Sequence, residues 1–76
     1  MAFITARTNE TNTERVAAYL PRGWSAIPIV ELVGTDDVET VGTAIMGDEV
    51  AGWTFADYVQ PRLASGLIFA ELVSAD

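Results

Sequence analysis

The longest segment that can be helical by its apolar spacing is GWTFADYVQPRLASGLIFAELVSAD, residues 52–76. Within it Phe55, Val59, Leu63, Leu67, Ala70 and Val73 recur at steps of three or four, which lines side chains along one side of a 3.6-residue helix. Tyr58, Ile68 and Leu72 widen that stripe. Thr54 stands where an N-cap should, and Asp57 follows at the positive end of the helix dipole, so the pattern predicts a helix beginning near Phe55. Pro61 has no N–H to offer the Asp57 carbonyl. The segment should therefore kink between Asp57 and Pro61, or split, with a second helix beginning at Gln60.

The rest of the chain is shorter-ranged. AFITART, residues 2–8, has weak strand character and reads as a short strand or extended arm. Thr11 and Glu14 have capping-box spacing ahead of ERVAAYL, predicting a first helix over residues 12–20 with Val16, Tyr19 and Leu20 facing inward. Pro21, Arg22 and Gly23 end it. WSAIPIVELV, residues 24–33, is dense in β-branched residues, and Pro28, which cannot donate to a ladder, assigns it to an edge or a bulge. Gly34, Thr35, Asp36 and Asp37 form a turn, and residues 38–46 return as a second strand with Val41, Thr43 and Ile45 on one side. Gly47, Asp48 and Glu49 close that strand. Residues 50–53 then lead into the long helix, with Trp53 at the N′ position to staple onto the helix or the sheet.

No repeat or linker interrupts this order, so residues 1–76 read as one compact domain of the α+β class. The expected architecture is a small antiparallel sheet, made of the β-hairpin and an N-terminal strand if one forms. A short N-terminal helix and a long, kinked or split C-terminal helix would pack on it.

Composition adds a problem of coverage. Half of the 76 residues (50%) are hydrophobic, and a chain of this size buries only about 60% of the surface it exposes when unfolded. Some apolar surface should therefore be shared, and a homodimer or other homo-oligomer is expected. Eleven acidic residues against four arginines give a net charge of −7, which opposes direct nucleic-acid binding. The absence of cysteine excludes disulfides and thiolate chemistry and suits a reducing cytoplasm. The charge-free runs at 23–30, 40–47 and 63–70 are each eight residues, against the ~20 that a bilayer span takes. No membrane association is expected.

Catalytic chemistry is scarce. With no His or Cys, Ser25, Ser65 and Ser74 have no base to activate them, and no nucleotide-binding or nucleophile-elbow spacing occurs. The expectation is a protein that is not an enzyme and uses no cofactor. A carboxylate pair is the one remaining route, and Asp36, Asp37, Glu39, Asp48 and Glu49 supply the carboxylates. Their ordinary role is as solvated turn charges; they lack the spacing of a calcium loop, so no metal is expected. Taken together they form a candidate acidic partner-binding face, suited to mimicking DNA in the basic groove of a nucleic-acid-binding protein.

A second candidate surface lies on the predicted helix. Gly66 and Ala70 stand one turn apart and would leave a groove into which another backbone fits, either the protein's own sheet or a helix of a second copy. Arg62 interrupts the apolar stripe and would pair with Asp57, Asp48 or Glu49, or anchor an acid on a partner. With Tyr58 and Leu67 these residues make up the candidate interface: Tyr58, Arg62, Gly66, Leu67 and Ala70.

The stretch GWTFADYVQPRLASGL also resembles a pattern of the type GWT-x-x-DYV-x-PRLASGL found in small proteins of unassigned activity from actinobacteria and their phages. The likeness covers residues 52–70. It implies a source, in keeping with the all-arginine basic usage and the abundance of Ala, Val, Gly and Thr. For a phage accessory protein it implies binding to a host protein in the host cytoplasm. The expected function is thus a non-enzymatic interaction or regulatory factor, with the acidic DNA mimic as its alternative and a small carboxylate-dependent enzyme as the weakest.

Overall fold

A computed structural model describes residues 3–49 and 52–75; Ala2, and Val50 in the approach to the helix, lie outside the described residues, as does Asp76. Its elements are β1 (Phe3–Thr8), α1 (Thr13–Tyr19), β2 (Trp24–Leu32), β3 (Val38–Asp48), a π-helical turn (Phe55–Val59), α2 (Gln60–Ser65) and β4 (Ala70–Ala75). The four strands form one antiparallel sheet in the order β2-β3-β1-β4.

One face of the sheet is covered. Ile4, Ala6 and Thr8 of β1, Thr43 and Ile45 of β3, and Trp24 of β2 are buried against Val16 of α1, Phe55, Val59 and Leu63 of the second helical segment, and Ile68. Trp24 and Phe55 pack with ring centroids 6.1 Å apart. The opposite face has no described helix against it, and Arg7, Ser25, Ile27 and Met46 are exposed there. Pro28 lies on β2, an edge strand, where its missing N–H leaves no ladder bond unmade.

The long C-terminal helix expected from the apolar stripe does not form. The helix stops at Ser65, the chain reverses, and Ala70–Ala75 becomes β4 alongside β1. The stop is a Schellman motif: the Leu67 N–H donates to the Ala64 carbonyl and the Ile68 N–H to the Leu63 carbonyl, each at 2.9 Å. Two apolar periods coexist in residues 63–73. The strand period prevails because it drops Ile68 into the core and fills the edge of β1, whereas a continued helix would do neither.

Pro61 splits the segment, and the second helix begins at Gln60. Upstream, the hydrogen bonds widen to five residues, with Val59 N–H reaching Thr54 O at 3.3 Å and Gln60 N–H reaching Phe55 O. Pro61 thereby sits in the first turn of α2, where its absent donor costs nothing. The start of the segment is capped by Thr54, whose hydroxyl accepts from Asp57 N–H at 3.1 Å, and by Glu49, whose carboxylate accepts from Phe55 N–H at 3.1 Å. Trp53 stacks on Tyr58 at 4.2 Å, the N′-to-N4 staple. The first helix is capped by Asn12, one residue later than the Thr11 box, its side chain accepting from Arg15 N–H at 3.2 Å.

Past the row of paired residues Pro28, Thr43, Thr8 and Ala70, the β2–β3 hairpin runs on as a two-stranded arm. A bulge at Val41 marks its base, where the register shifts between Ile29 and Val30. Gly42 sits beside it, and a Cβ there would stand 2.5 Å from the Thr8 carbonyl oxygen. The arm lengthens the molecule to 45 Å and raises its radius of gyration to 12.8 Å, against the roughly 11.4 Å expected for a compact chain of this length.

Candidate functional site

The end of the sheet from which the arm projects is also where the chain turns from α2 into β4, and this end carries the least ordinary features of the molecule. Leu67 has φ +61° and is 78% exposed. In a Schellman motif this position usually falls to glycine, because a Cβ in the left-handed region meets the following carbonyl. Glycine is present one residue too early for that purpose. Gly66 has φ −96° and is needed for space: a Cβ would lie 2.4 Å from Cζ of Tyr19, whose ring packs beneath it. The chain thus places a strained, solvent-facing leucine where an unstrained residue would serve the fold better.

Phe69, two residues on, is 70% exposed, and Leu72 and Val73 of the edge strand β4 are half-exposed. Leu67, Ile68 and Phe69 border a shallow depression whose other wall is Thr8, Asn9 and Glu10. Its floor is braced by polar contacts. The buried Thr43 hydroxyl donates to the Glu10 carbonyl at 2.6 Å and lies 3.3 Å from the Thr13 hydroxyl. Arg15 bonds the Glu10 carboxylate with one guanidinium nitrogen and the Gly66 carbonyl with the other, tying α1 to the end of α2.

The arm is two-sided. Val30 lies opposite Thr40 and Leu32 opposite Val38, continuing the side on which Trp24 and Ala26 face the helices, but here no described helix reaches them. Leu32 is 72% exposed. On the other side Glu31 and Glu39 are direct cross-strand partners, and Asp36 and Asp37 stand at the tip. Like charges held opposite one another destabilise a strand pair.

The acidic residues singled out in the sequence do not share one surface. Asp36, Asp37 and Glu39 belong to the arm, whereas Asp48 closes β3 about nine strand residues beyond Glu39, roughly 30 Å away at strand rise. Asp48 is half-buried, with Oδ1 enclosed and unpartnered among the described residues, and Glu49 is occupied in capping Phe55. Among the described residues, no three carboxylates are grouped as a metal site would require.

The proposed helical interface is likewise dispersed. Ala70 lies in β4, not one helical turn beyond Gly66, and the space above Gly66 is filled by Tyr19, so the groove between the two residues does not exist. Arg62 makes no ion pair among the described residues; its guanidinium lies 4.5 Å over the Tyr58 ring and donates to the Tyr58 hydroxyl at 2.9 Å. Trp53, Tyr58 and Arg62 form a stacked, partly exposed cluster on the helical face. Of the five interface residues only Leu67 faces the apolar end. Phe69, Val30, Leu32 and Val38 belong to that end too; the Ser65–Gly66 helix stop ahead of a β-rich run is the sequence signal that would have exposed the corner.

No family model, curated protein or solved structure matches the chain. No helix among the described residues is long and apolar enough to cross a membrane.

Proposed function

We propose that the chain is a non-enzymatic interaction protein, a binding or regulatory factor that acts through the apolar end of its sheet. In a phage setting its target would be a host protein. The observation that carries this reading is Leu67: a residue with φ +61° that is 78% exposed contributes strain to the fold and little to its core. Phe69 beside it is also exposed, and the apolar side of the arm projects from the same end of the sheet. The lack of His and Cys anywhere in the sequence, and the separation of Asp48 and Glu49 from the arm, favour binding over catalysis.

The test is affinity capture from an actinobacterial lysate with the native chain and with the Leu67→Asn, Phe69→Ser variant, followed by mass spectrometry. A protein held by the native chain and released by the variant supports the reading. Equal retention by both overturns the assignment of the surface.

The pairing of Glu31 with Glu39 favours a second reading, an acidic mimic of nucleic acid presented by the arm. It requires that binding weaken steeply with salt and vanish when Glu31, Asp36, Asp37 and Glu39 become amides.

A further inference from the structure

We infer that the arm and the Leu67–Phe69 corner are two halves of one self-complementary interface. In a pair of copies related by a twofold axis at this end of the sheet, the apolar side of each arm covers the other copy's corner. This rests on the interaction reading above and assigns that surface its first partner, a second copy of the chain.

The arm requires a partner on physical grounds. A two-stranded hairpin with no third strand or helix against it is marginal in water, and this one also holds Glu31 opposite Glu39 and leaves Val30, Leu32 and Val38 more than half exposed. The corner requires one too, since Leu67 is held in the left-handed region with its side chain in solvent.

A second copy satisfies both needs with one contact. Arm and corner both lie beyond the row Pro28, Thr43, Thr8 and Ala70, at the same end of the sheet. A twofold axis makes patch i meet patch j and j meet i, so two different apolar patches at one end are a self-complementary pair. The carboxylates of Glu31 and Glu39 lie on the other side of the arm and stay in water.

The areas agree. The exposed fractions of Val30, Leu32 and Val38 on the apolar side of the arm and of Leu67 and Phe69 at the corner, applied to residues of about 150–200 Å², present on the order of 600 Å² in all. That reaches the lower end of what a stable interface takes from each partner, about 600–1,000 Å², and either patch alone supplies roughly half of it. The whole chain exposes 4953 Å², above the roughly 4,500 Å² of a compact monomer of this mass.

The experiment uses the full chain in light scattering, with Leu32→Ser as the arm variant and Leu67→Asn as the corner variant. Both side chains are exposed, so each variant folds. The native chain is expected at twice 8.2 kDa. Each variant damages both contacts of its own dimer and should weaken self-association by about 100-fold, about tenfold per contact. Mixing the two restores one intact contact, the sound arm of one on the sound corner of the other. Because Leu32 and Leu67 meet in the same contact, losing both there costs no more than losing either, so a tagged Leu32→Ser chain should retain Leu67→Asn about tenfold better than either variant retains itself.

A native chain that stays at 8.2 kDa overturns the self-pairing. If that monomer still captures a foreign protein through Leu67, the interaction reading stands without it. A native dimer that persists in both variants also overturns the inference and moves the interface to the open sheet face around Ile27 and Met46.

Discussion

The ring of Tyr19 occupies the space that a side chain on Gly66 would need, with Cζ 2.4 Å from the position of a Cβ. This contact locks α1 to the end of α2 and fixes where the chain turns toward β4. Gly66→Ala should cost roughly 1–2 kcal/mol, since Tyr19 is only half-buried and can yield at its outer end. Urea denaturation of Gly66→Ala, Tyr19→Ala and the double variant tests this: the double variant should be more stable than the sum of the single losses. Simple additivity would mean that the two residues do not meet.

Thr43 is fully buried and gives its hydroxyl to the Glu10 carbonyl. Thr43→Val keeps the shape and removes the donor, so stability should fall by roughly 1–3 kcal/mol. Thr43→Ser should retain most of it. Thermal unfolding followed by circular dichroism distinguishes the two, and equal losses would show that the methyl group, not the hydrogen bond, matters.

Leu67→Asn should stabilise the isolated fold by about 1 kcal/mol, because Asn tolerates the left-handed conformation and the leucine side chain has no core to leave. The measurement is chemical denaturation at a concentration low enough to dissociate any complex. A destabilised variant would mean that Leu67 packs within its own chain.

The apposition of Glu31 and Glu39 predicts a salt response. Added salt should stabilise the native chain more than Glu39→Gln, in which the repulsion is already absent, with a difference of a few tenths of a kcal/mol. Hydrogen exchange of the arm amides at low and high ionic strength reads it locally. An arm whose protection is indifferent to salt in both proteins would remove the repulsion from consideration.

Local signals were legible where one residue type has one use. Pro21 and Gly23 ended α1, the turn at residues 34–37 closed the hairpin, and Thr54 and Trp53 opened the second helical segment. Residues 66–75 were not legible as a strand, because Leu63, Leu67, Ala70 and Val73 fit a helical stripe as well as Ile68, Ala70 and Leu72 fit an alternating one. What separates the two is a long-range fact, the open edge of β1, and no local pattern records it. The same limit governed the candidate site. Arg62 found the Tyr58 ring one turn away in place of an acid, and the five carboxylates were sorted to opposite ends of β3, for reasons that appear only once the strand register is known.

The order β2-β3-β1-β4 places the first strand between the third and the fourth. During synthesis β1 therefore leaves the ribosome with neither neighbour made: Phe3 awaits Asp48, and Thr8 awaits both Thr43 and Ala70. The hairpin and α1 can assemble locally, but the sheet gains its centre only through contacts that span most of the chain, which are slow to form. Until then the nascent molecule presents FITART with two bare edges, so the interval before β4 appears is when this small protein is most exposed to aggregation and to chaperones.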